Sequence, residues 1–448
     1  MLERRLAHLH ADDLESASSP GAAVHAADLR QSVFRGLDVM SAARSDDDPP
    51  SLREHLDCEA RLNPRQPLMD GNRVTLLQNG PATYAAMLDA IERARSHVNL
   101  ETYIFDDGVV GRHFSSVLQS VARAGVRVTL IYDSIGTLGV PGSFFDALRS
   151  AGVRLLEFHP INPAAKNPRL WRINNRDHRK MLIVDGRIAF VGGINISDTY
   201  SSVPSARHAP GSNGDVIDAG WRDTHLRIEG PAAAQFQDLF VETWRRHSDE
   251  PLDPSGFFPD PIPSSGHARV RAIGSVYDDQ KNPIFATLIS AIDHAQSHVN
   301  LTVAYFAPDR RLLRSLTRAA RRGVKVRMVL PCKADSWAIF HLGRSYYGRL
   351  LRGGVQVYER QGPVMHSKTA SVDGLWSTVG SANLDWRSML HNNEANAVIV
   401  DRAFARQMNR MFEDDIAVSV AFERRRWRRR SWWLRAQEFV SRLMAYFL

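Results

Sequence analysis

The sequence predicts an α/β protein built as a tandem duplication: two domains related by a pseudo-twofold, each a mixed β-sheet flanked by helices, with a C-terminal amphipathic helix. Three observations carry this. Strand and helix signals alternate from Arg73 onward. Short strings recur at near-constant spacing: Ser96-His-Val-Asn-Leu100 returns as Ser297-His-Val-Asn-Leu301, Gly125-Val-Arg-Val128 as Gly323-Val-Lys-Val326, and Gly152-Val-Arg-Leu155 as Gly354-Val-Gln-Val357, at offsets of 201, 198 and 202. One polar pattern also occurs twice, 188 residues apart: His178-Arg-Lys180-x4-Asp185-Gly186 and His366-Ser-Lys368-x4-Asp373-Gly374.

Residues 1–66 lack sustained periodicity and carry Ser16-Ala-Ser-Ser-Pro20 and Ser45-Asp-Asp-Asp-Pro-Pro50. They read as a polar, flexible arm with a short helix near Leu29–Met40. The first domain spans 67–250. Val74–Gln78 is a short strand, Pro81–Ser96 an amphipathic helix, Val98–Phe105 a strand, Arg112–Ala124 a helix and Val126–Asp133 a strand. Pro141–Ala151 is a helix with its proline at the start, where a helix tolerates one. Val153–Phe158 is a strand, and Met181–Val184 and Ile188–Gly192 form a hairpin turning at Asp185-Gly186. Residues 251–263, with five prolines, form the linker. The second domain, 264–423, repeats the order, and 424–448 is a basic, aromatic tail. The smaller offset at the polar pattern means that the first domain carries about 14 extra residues within Ile161–Asp177. A second insertion covers about Ser202–Gly220. Both are expected as loops beside the motif, where selectivity resides.

Of 448 residues, 44% are hydrophobic, enough for a large core. The net charge of +8 suits an anionic partner, nucleic acid or an acidic membrane surface. Two distant cysteines, Cys58 and Cys332, make no disulfide framework and fit a reducing cytosol. Met1–Glu15 has no apolar signal-peptide core, and no apolar run reaches transmembrane length. A soluble or peripheral protein is expected.

Two histidines and two lysines are what exchange at a phosphodiester needs. On a strand, residues i and i+2 share a face, so each histidine stands beside its lysine. His178 and His366 can supply nucleophile and proton donor; Lys180 and Lys368 can hold non-bridging phosphate oxygens. The turns Gly192-Gly193-Ile-Asn195 and Gly380-Ser381-Ala-Asn383 place Asn195, Asn383 and Ser381 as further phosphate ligands. Asp223 and Glu394, at matching positions before matching strands, are the carboxylates that fix the second ring nitrogens. Asp185 and Asp373 complete the catalytic set as members of the motif, although their place at the hairpin turns suits bracing the fold. Glu101, Tyr103 and Tyr305 end strands that face either the site or the core. A lysine within the motif repels a cation, so neither metal nor cofactor is expected.

These residues resemble the phospholipase D superfamily. The strings Gly380-Ser-Ala-Asn-Leu-Asp-Trp-Arg-Ser388 with Asn393-Glu394, and Arg176-Asp-His-Arg-Lys180 with Gly192-Gly-Ile-Asn195, are similar to bacterial cardiolipin synthases, of the short type without N-terminal transmembrane helices. The resemblance covers residues 70–435. It implies a metal-independent, two-step transfer: His178 takes a phosphatidyl group from phosphatidylglycerol, His366 protonates the leaving alcohol, and a second phosphatidylglycerol accepts the group to give cardiolipin and glycerol. The two roles can be exchanged between the domains. Phosphatidylethanolamine can replace one phosphatidylglycerol. Hydrolysis, by a phospholipase D or a nuclease, uses the same motif, and a silent lipid-binding scaffold is a third reading.

The tail reads Glu423-Arg-Arg-Arg-Trp-Arg-Arg-Arg430, then Ser431-Trp-Trp433. Trp432/Trp433, Ala436, Phe439/Val440, Leu443/Met444 and Phe447 recur at helical spacing through Leu448. A helix lying in the membrane interface is expected, tryptophans at headgroup depth and Arg424–Leu448 on anionic lipid. Together with the resemblance, this implies a peripheral protein, expected on the cytoplasmic face of the bacterial inner membrane, with phospholipid as substrate and nucleic acid disfavoured.

Overall fold

Among the described residues, sixteen strands form a single sheet whose order shows the duplication. The computed structural model describes residues 48–161, 174–203, 220–277, 279 and 282–443. In the first domain the strands are β1 (Met69–Gln78), β2 (His97–Thr102), β3 (Arg127–Asp133), β4 (Arg154–Phe158), β5 (Arg176–Asp177), β6 (Lys180–Val184), β7 (Ile188–Gly192) and β8 (Thr224–Glu229). In the second they are β9 (Ala268–Ser275), β10 (His298–Val303), β11 (Lys325–Pro331), β12 (Gln356–Arg360), β13 (Lys368–Val372), β14 (Trp376–Gly380), β15 (Asn392–Val400) and β16 (Ser419–Phe422). One half of the sheet runs β1-β8-β7-β6-β2-β3-β4 and the other β9-β15-β14-β13-β10-β11-β12-β16. Antiparallel pairing of β1 with β9 joins them. Within each half, β2-β3-β4 or β10-β11-β12 is parallel and the motif strands are antiparallel.

Among the described residues, three large cores follow from this layout, beside a small cluster of Val329, Met365 and Phe412. Ile91, Val98, Phe114 and Leu118 belong to the first domain's core, and Ile292, Val299, Leu316 and Leu350 to the second's. The third is shared. Phe236 and Leu239, from helix Ala233–His247, and Met408 and Met411, from helix Arg402–Ala417, pack on Val270, Val379 and Ala395. The interface is therefore apolar core, and the two halves are held as one body beneath the site.

Two expectations change. Pro50–Leu62 is a helix docked on the second domain, where an arm was expected. His55 meets Ser290 at 2.9 Å, and Glu59 meets Arg271 at 3.3 Å and the Trp376 indole at 3.1 Å. Its apolar content is low, so periodicity missed it; polar pairs hold it. The helix expected near Leu29–Met40 lies outside the described residues, as do residues 162–173 and 204–219 of the two insertions. The first helix expected in the first domain ends at Glu92, four residues early.

The tail forms helices Arg424–Arg428 and Trp432–Leu443. Its packing is inverted relative to an ordinary surface helix. Glu438 and Ser441 are buried, while Trp432, Trp433, Phe439, Val440 and Leu443 are 46–75% exposed. Trp427 anchors the segment, 5.1 Å from the Tyr347 ring. No helix among the described residues is long and apolar enough to cross a membrane.

Candidate active site

Backbone pairing sets each motif histidine against the opposite domain. Strand β5 pairs in parallel with the start of β15, Arg176 opposite Asn392 and Asp177 opposite Asn393. The His178 N–H then donates to the Asn393 carbonyl at 3.0 Å. Reciprocally, Arg222 of the first domain bridges Met365 of the second, and the His366 N–H donates to the Arg222 carbonyl at 2.7 Å. Glu394 follows Asn393, and Asp223 follows Arg222.

The side chains complete the crossing. His178 Nδ1 lies 3.1 and 3.0 Å from the two Glu394 oxygens. His366 Nδ1 lies 2.8 Å from Asp223 Oδ2 and 3.1 Å from the Tyr200 hydroxyl. Both predicted carboxylates bond a histidine, and each does so across the domain interface. A carboxylate at Nδ1 takes that N–H and leaves Nε2 with its lone pair.

The lysines are fixed by the chain itself. Lys180 Nζ donates to the His178 carbonyl at 2.7 Å, and Lys368 Nζ donates to that of His366. Tyr103 and Tyr305 lie under the two ammonium groups, 5.2 and 5.9 Å from the ring centroids. Burial pushes Lys180 down to about 7, against the opposing pull of Glu394, and Lys368 down to about 8, against that of Asp223. Burial, then the charges of Lys180 and Lys368, hold His178 well below the usual histidine range. His366 is lowered by burial and Lys368, but its Asp223 bond works the other way. Burial raises Glu394 to about 7.

His178, His366, Asn195 and Asn383 face a common cavity of about 230 Å³. Asn195 Oδ1 accepts from the Ile104 N–H at 3.2 Å, which leaves its amide N–H groups directed inward beside Tyr200. Asn383 lines the cavity, and its Oδ1, an acceptor, is buried without a hydrogen-bond partner. Tyr103 and Tyr305 line the same space; Glu101 does not. Glu101 points behind the site, with Thr243 at 3.0 Å and Arg179 at 3.7 Å.

Three expected site residues lie elsewhere. Ser381 donates to Glu394 at 2.5 Å and does not line the cavity. With Ser388, at 2.7 Å from the other Glu394 oxygen, it holds the carboxylate in place. Asp185 and Asp373 sit at the far ends of the motif strands. Each has a positive φ of 52° and opens a turn whose next residue, Gly186 or Gly374, is also positive. Asp185 accepts from the backbone N–H groups of Arg95, Ser96 and His97, and Asp373 from those of Gln296, Ser297 and His298. They tie the hairpin to β2 or β10 and brace the motif strand. Asp373→Ala should therefore cost about 1–2 kcal/mol, as loss of a capping carboxylate does. Thermal melts should show a midpoint lowered by a few degrees, and activity per folded molecule should fall far less than in the histidine variants.

Sequence reasoning missed Tyr200, Trp221, Asp335 and Arg387, which also line the cavity. Asp335 accepts the Tyr305 hydroxyl at 2.5 Å. Arg387 and Ser388 lie between Asn383 and Glu394 in sequence, and that continuity is the available signal. Asp335 comes from the segment before helix Trp337–Arg352, which has no motif to mark it.

The chain is similar to known proteins in both sequence and fold. The family described as cardiolipin synthase, PLD-like domain matches twice, at residues 87–203 and 288–416. The chain is 32% identical to the cardiolipin synthase of Geobacillus kaustophilus over 383 residues, covering 85% of this chain and 73% of the relative. It is 30% identical to that of Listeria monocytogenes serotype 4b over 420 residues, covering 93% and 84%. Among solved structures, the phosphatidylserine synthase of Haemophilus influenzae superposes with a TM-score of 0.65 at 12% identity, covering 88% of this chain and all of that one. At that identity the likeness is one of fold.

Proposed function

The chain belongs to the cardiolipin synthase family of PLD-like proteins, and from that premise we propose that it transfers a phosphatidyl group between two phosphatidylglycerol molecules, giving cardiolipin and glycerol. The observation that carries the reading is the crossed pair of histidine–carboxylate contacts at one cavity, flanked by two buried lysines.

His178 Nε2 attacks the phosphorus of the first lipid. The bond from phosphorus to the glycerol headgroup oxygen breaks, and His366 delivers its Nε2 proton to that oxygen. His366 then takes the proton of the second lipid's headgroup hydroxyl. The freed oxygen attacks the phosphohistidine, and the nitrogen–phosphorus bond breaks. Lys180, Lys368 and the amides of Asn195 and Asn383 balance charge on the non-bridging oxygens. Assignment of the nucleophile to His178 has a structural support. Its partner Glu394 is bonded by two serine hydroxyls, whereas Asp223 Oδ2 serves His366 and is better placed to hold an imidazolium.

The test is product analysis with headgroup- and acyl-labelled phosphatidylglycerol. Cardiolipin and free glycerol in equal amounts are expected; phosphatidic acid as the main product would establish hydrolysis instead.

The same reading places the protein on a membrane surface through its tail. The outward apolar face of Trp432–Leu443 and the exposed Arg424, Arg425 and Arg426 support it. Replacing Trp432, Trp433 and Phe439 by serine should lower sedimentation with anionic vesicles at least tenfold while leaving the melting midpoint in place. Unchanged sedimentation would refute the tail as anchor.

A further inference from the structure

A groove separate from the catalytic cavity lies between helix Trp337–Arg352 and the tail. It encloses about 990 Å³ and is lined by Arg349, Arg352, Arg424, Arg428, Arg430 and Arg442, with no carboxylate among its lining residues. Arg430 is paired with Glu438 at 2.7 Å and lies 4.5 Å over the Trp427 ring. The other five have no carboxylate partner within 4 Å among the described residues. Gathering them costs self-repulsion, which an anion in the groove would relieve.

The second observation is independent of charge. Trp427 is 5% exposed, lines the groove, and its indole N–H has no hydrogen-bond partner. A buried indole N–H without a partner is costly, and buried tryptophans usually find one. Gly348 opens the space beside it: a Cβ there would come 3.6 Å from both the indole nitrogen and Arg352. Planar guanidinium groups and an indole donor around one opening match the oxygens of a phosphate.

We propose that this groove binds the phosphate of an anionic phospholipid at a site distinct from the catalytic one. The helix that supplies Arg442 also carries the exposed Phe439 and Leu443, so a headgroup in the groove has apolar surface beside it for its acyl chains. Shared phosphate chemistry alone would admit free phosphate; the adjoining apolar face favours the lipid. The ligand's identity rests on the membrane reading above, but the groove's test does not.

The experiment uses the full chain carrying His178→Ala, so that no lipid is consumed. Equilibrium dialysis measures binding of dihexanoyl phosphatidylglycerol below its micellar concentration, of inorganic phosphate, and of a single-stranded oligonucleotide. Arg349→Gln/Arg352→Gln, both exposed, removes charge; Gly348→Leu fills the groove and removes none. Each should weaken one class of lipid sites at least tenfold and leave a second class, at the catalytic cavity, unchanged. Identical isotherms in both variants would overturn the proposal. So would inorganic phosphate binding as tightly as the lipid, or an oligonucleotide that binds more tightly than the lipid and is lost in the same variants. Melting midpoints verify folding. Vesicle sedimentation of the tail variants separately reads the membrane contact. A groove that fails while vesicle binding persists sinks this inference alone.

Discussion

His178→Ala and His366→Ala should each cripple phosphatidyl transfer, and in different ways. Loss of the nucleophile removes the covalent route, so His178→Ala should fall by at least about 10⁴-fold with every substrate. Loss of the proton donor should cost about 10²–10⁴-fold with phosphatidylglycerol, whose glycerol leaves as a poor alkoxide. A phosphatidyl ester of p-nitrophenol needs no proton on leaving. With that donor His366→Ala should give a burst of nitrophenol and an acid-labile phosphatidyl-enzyme, and His178→Ala neither. Label trapped on His178→Ala would reverse the two roles. Near-normal transfer by either variant would sink the mechanism.

The duplication was legible because its strings and its motif repeat at nearly fixed offsets, and internal repetition survives without knowledge of the fold. The carboxylates were legible for the same reason: Asp223 and Glu394 precede matching strands. What could not be read was their crossing. Pairing of β5 with β15, and of Arg222 with Met365, joins residues 216 and 143 positions apart, and nothing local in sequence announces such contacts. Because of it neither domain holds a complete histidine–carboxylate pair, and one domain alone should be inactive.

Two errors have physical causes. A glycine-rich turn presents polar groups, which is why its sequence marks Ser381 as a phosphate ligand. At that turn, however, its hydroxyl closes on Glu394, whose buried charge needs donors more than a solvated phosphate does. Asp185 and Asp373 belong to the motif by position but serve the turn, since a strand of five residues separates them from the catalytic end. The inverted packing of the tail also escaped periodicity. A helical pattern gives the apolar face but not the side on which the protein lies.

Lys368→Met should lower kcat by about 10²–10³-fold, as loss of one preorganised donor to a developing oxyanion does. Its pH profile carries more information than its rate. In the empty site burial loosens the proton on each group that must hold one: Lys180 at about 7, Lys368 at about 8, and His366 below its usual range. In the free enzyme, kcat/KM should therefore decline as pH rises through neutrality. The free-base His178 stays available to well below pH 6.5, because its proton is lost early. Bound phosphate adds negative charge beside all of these groups and raises their pKa, so the alkaline limb of kcat should lie higher than that of kcat/KM. In Lys368→Met the lysine's repulsion of the His366 proton is gone, which raises the pKa of that histidine. The residual kcat/KM should then keep its activity to higher pH than the wild type. A limb that moves down, or does not move, would show that Lys368 acts on substrate alone and that the proton on His366 is governed by Asp223.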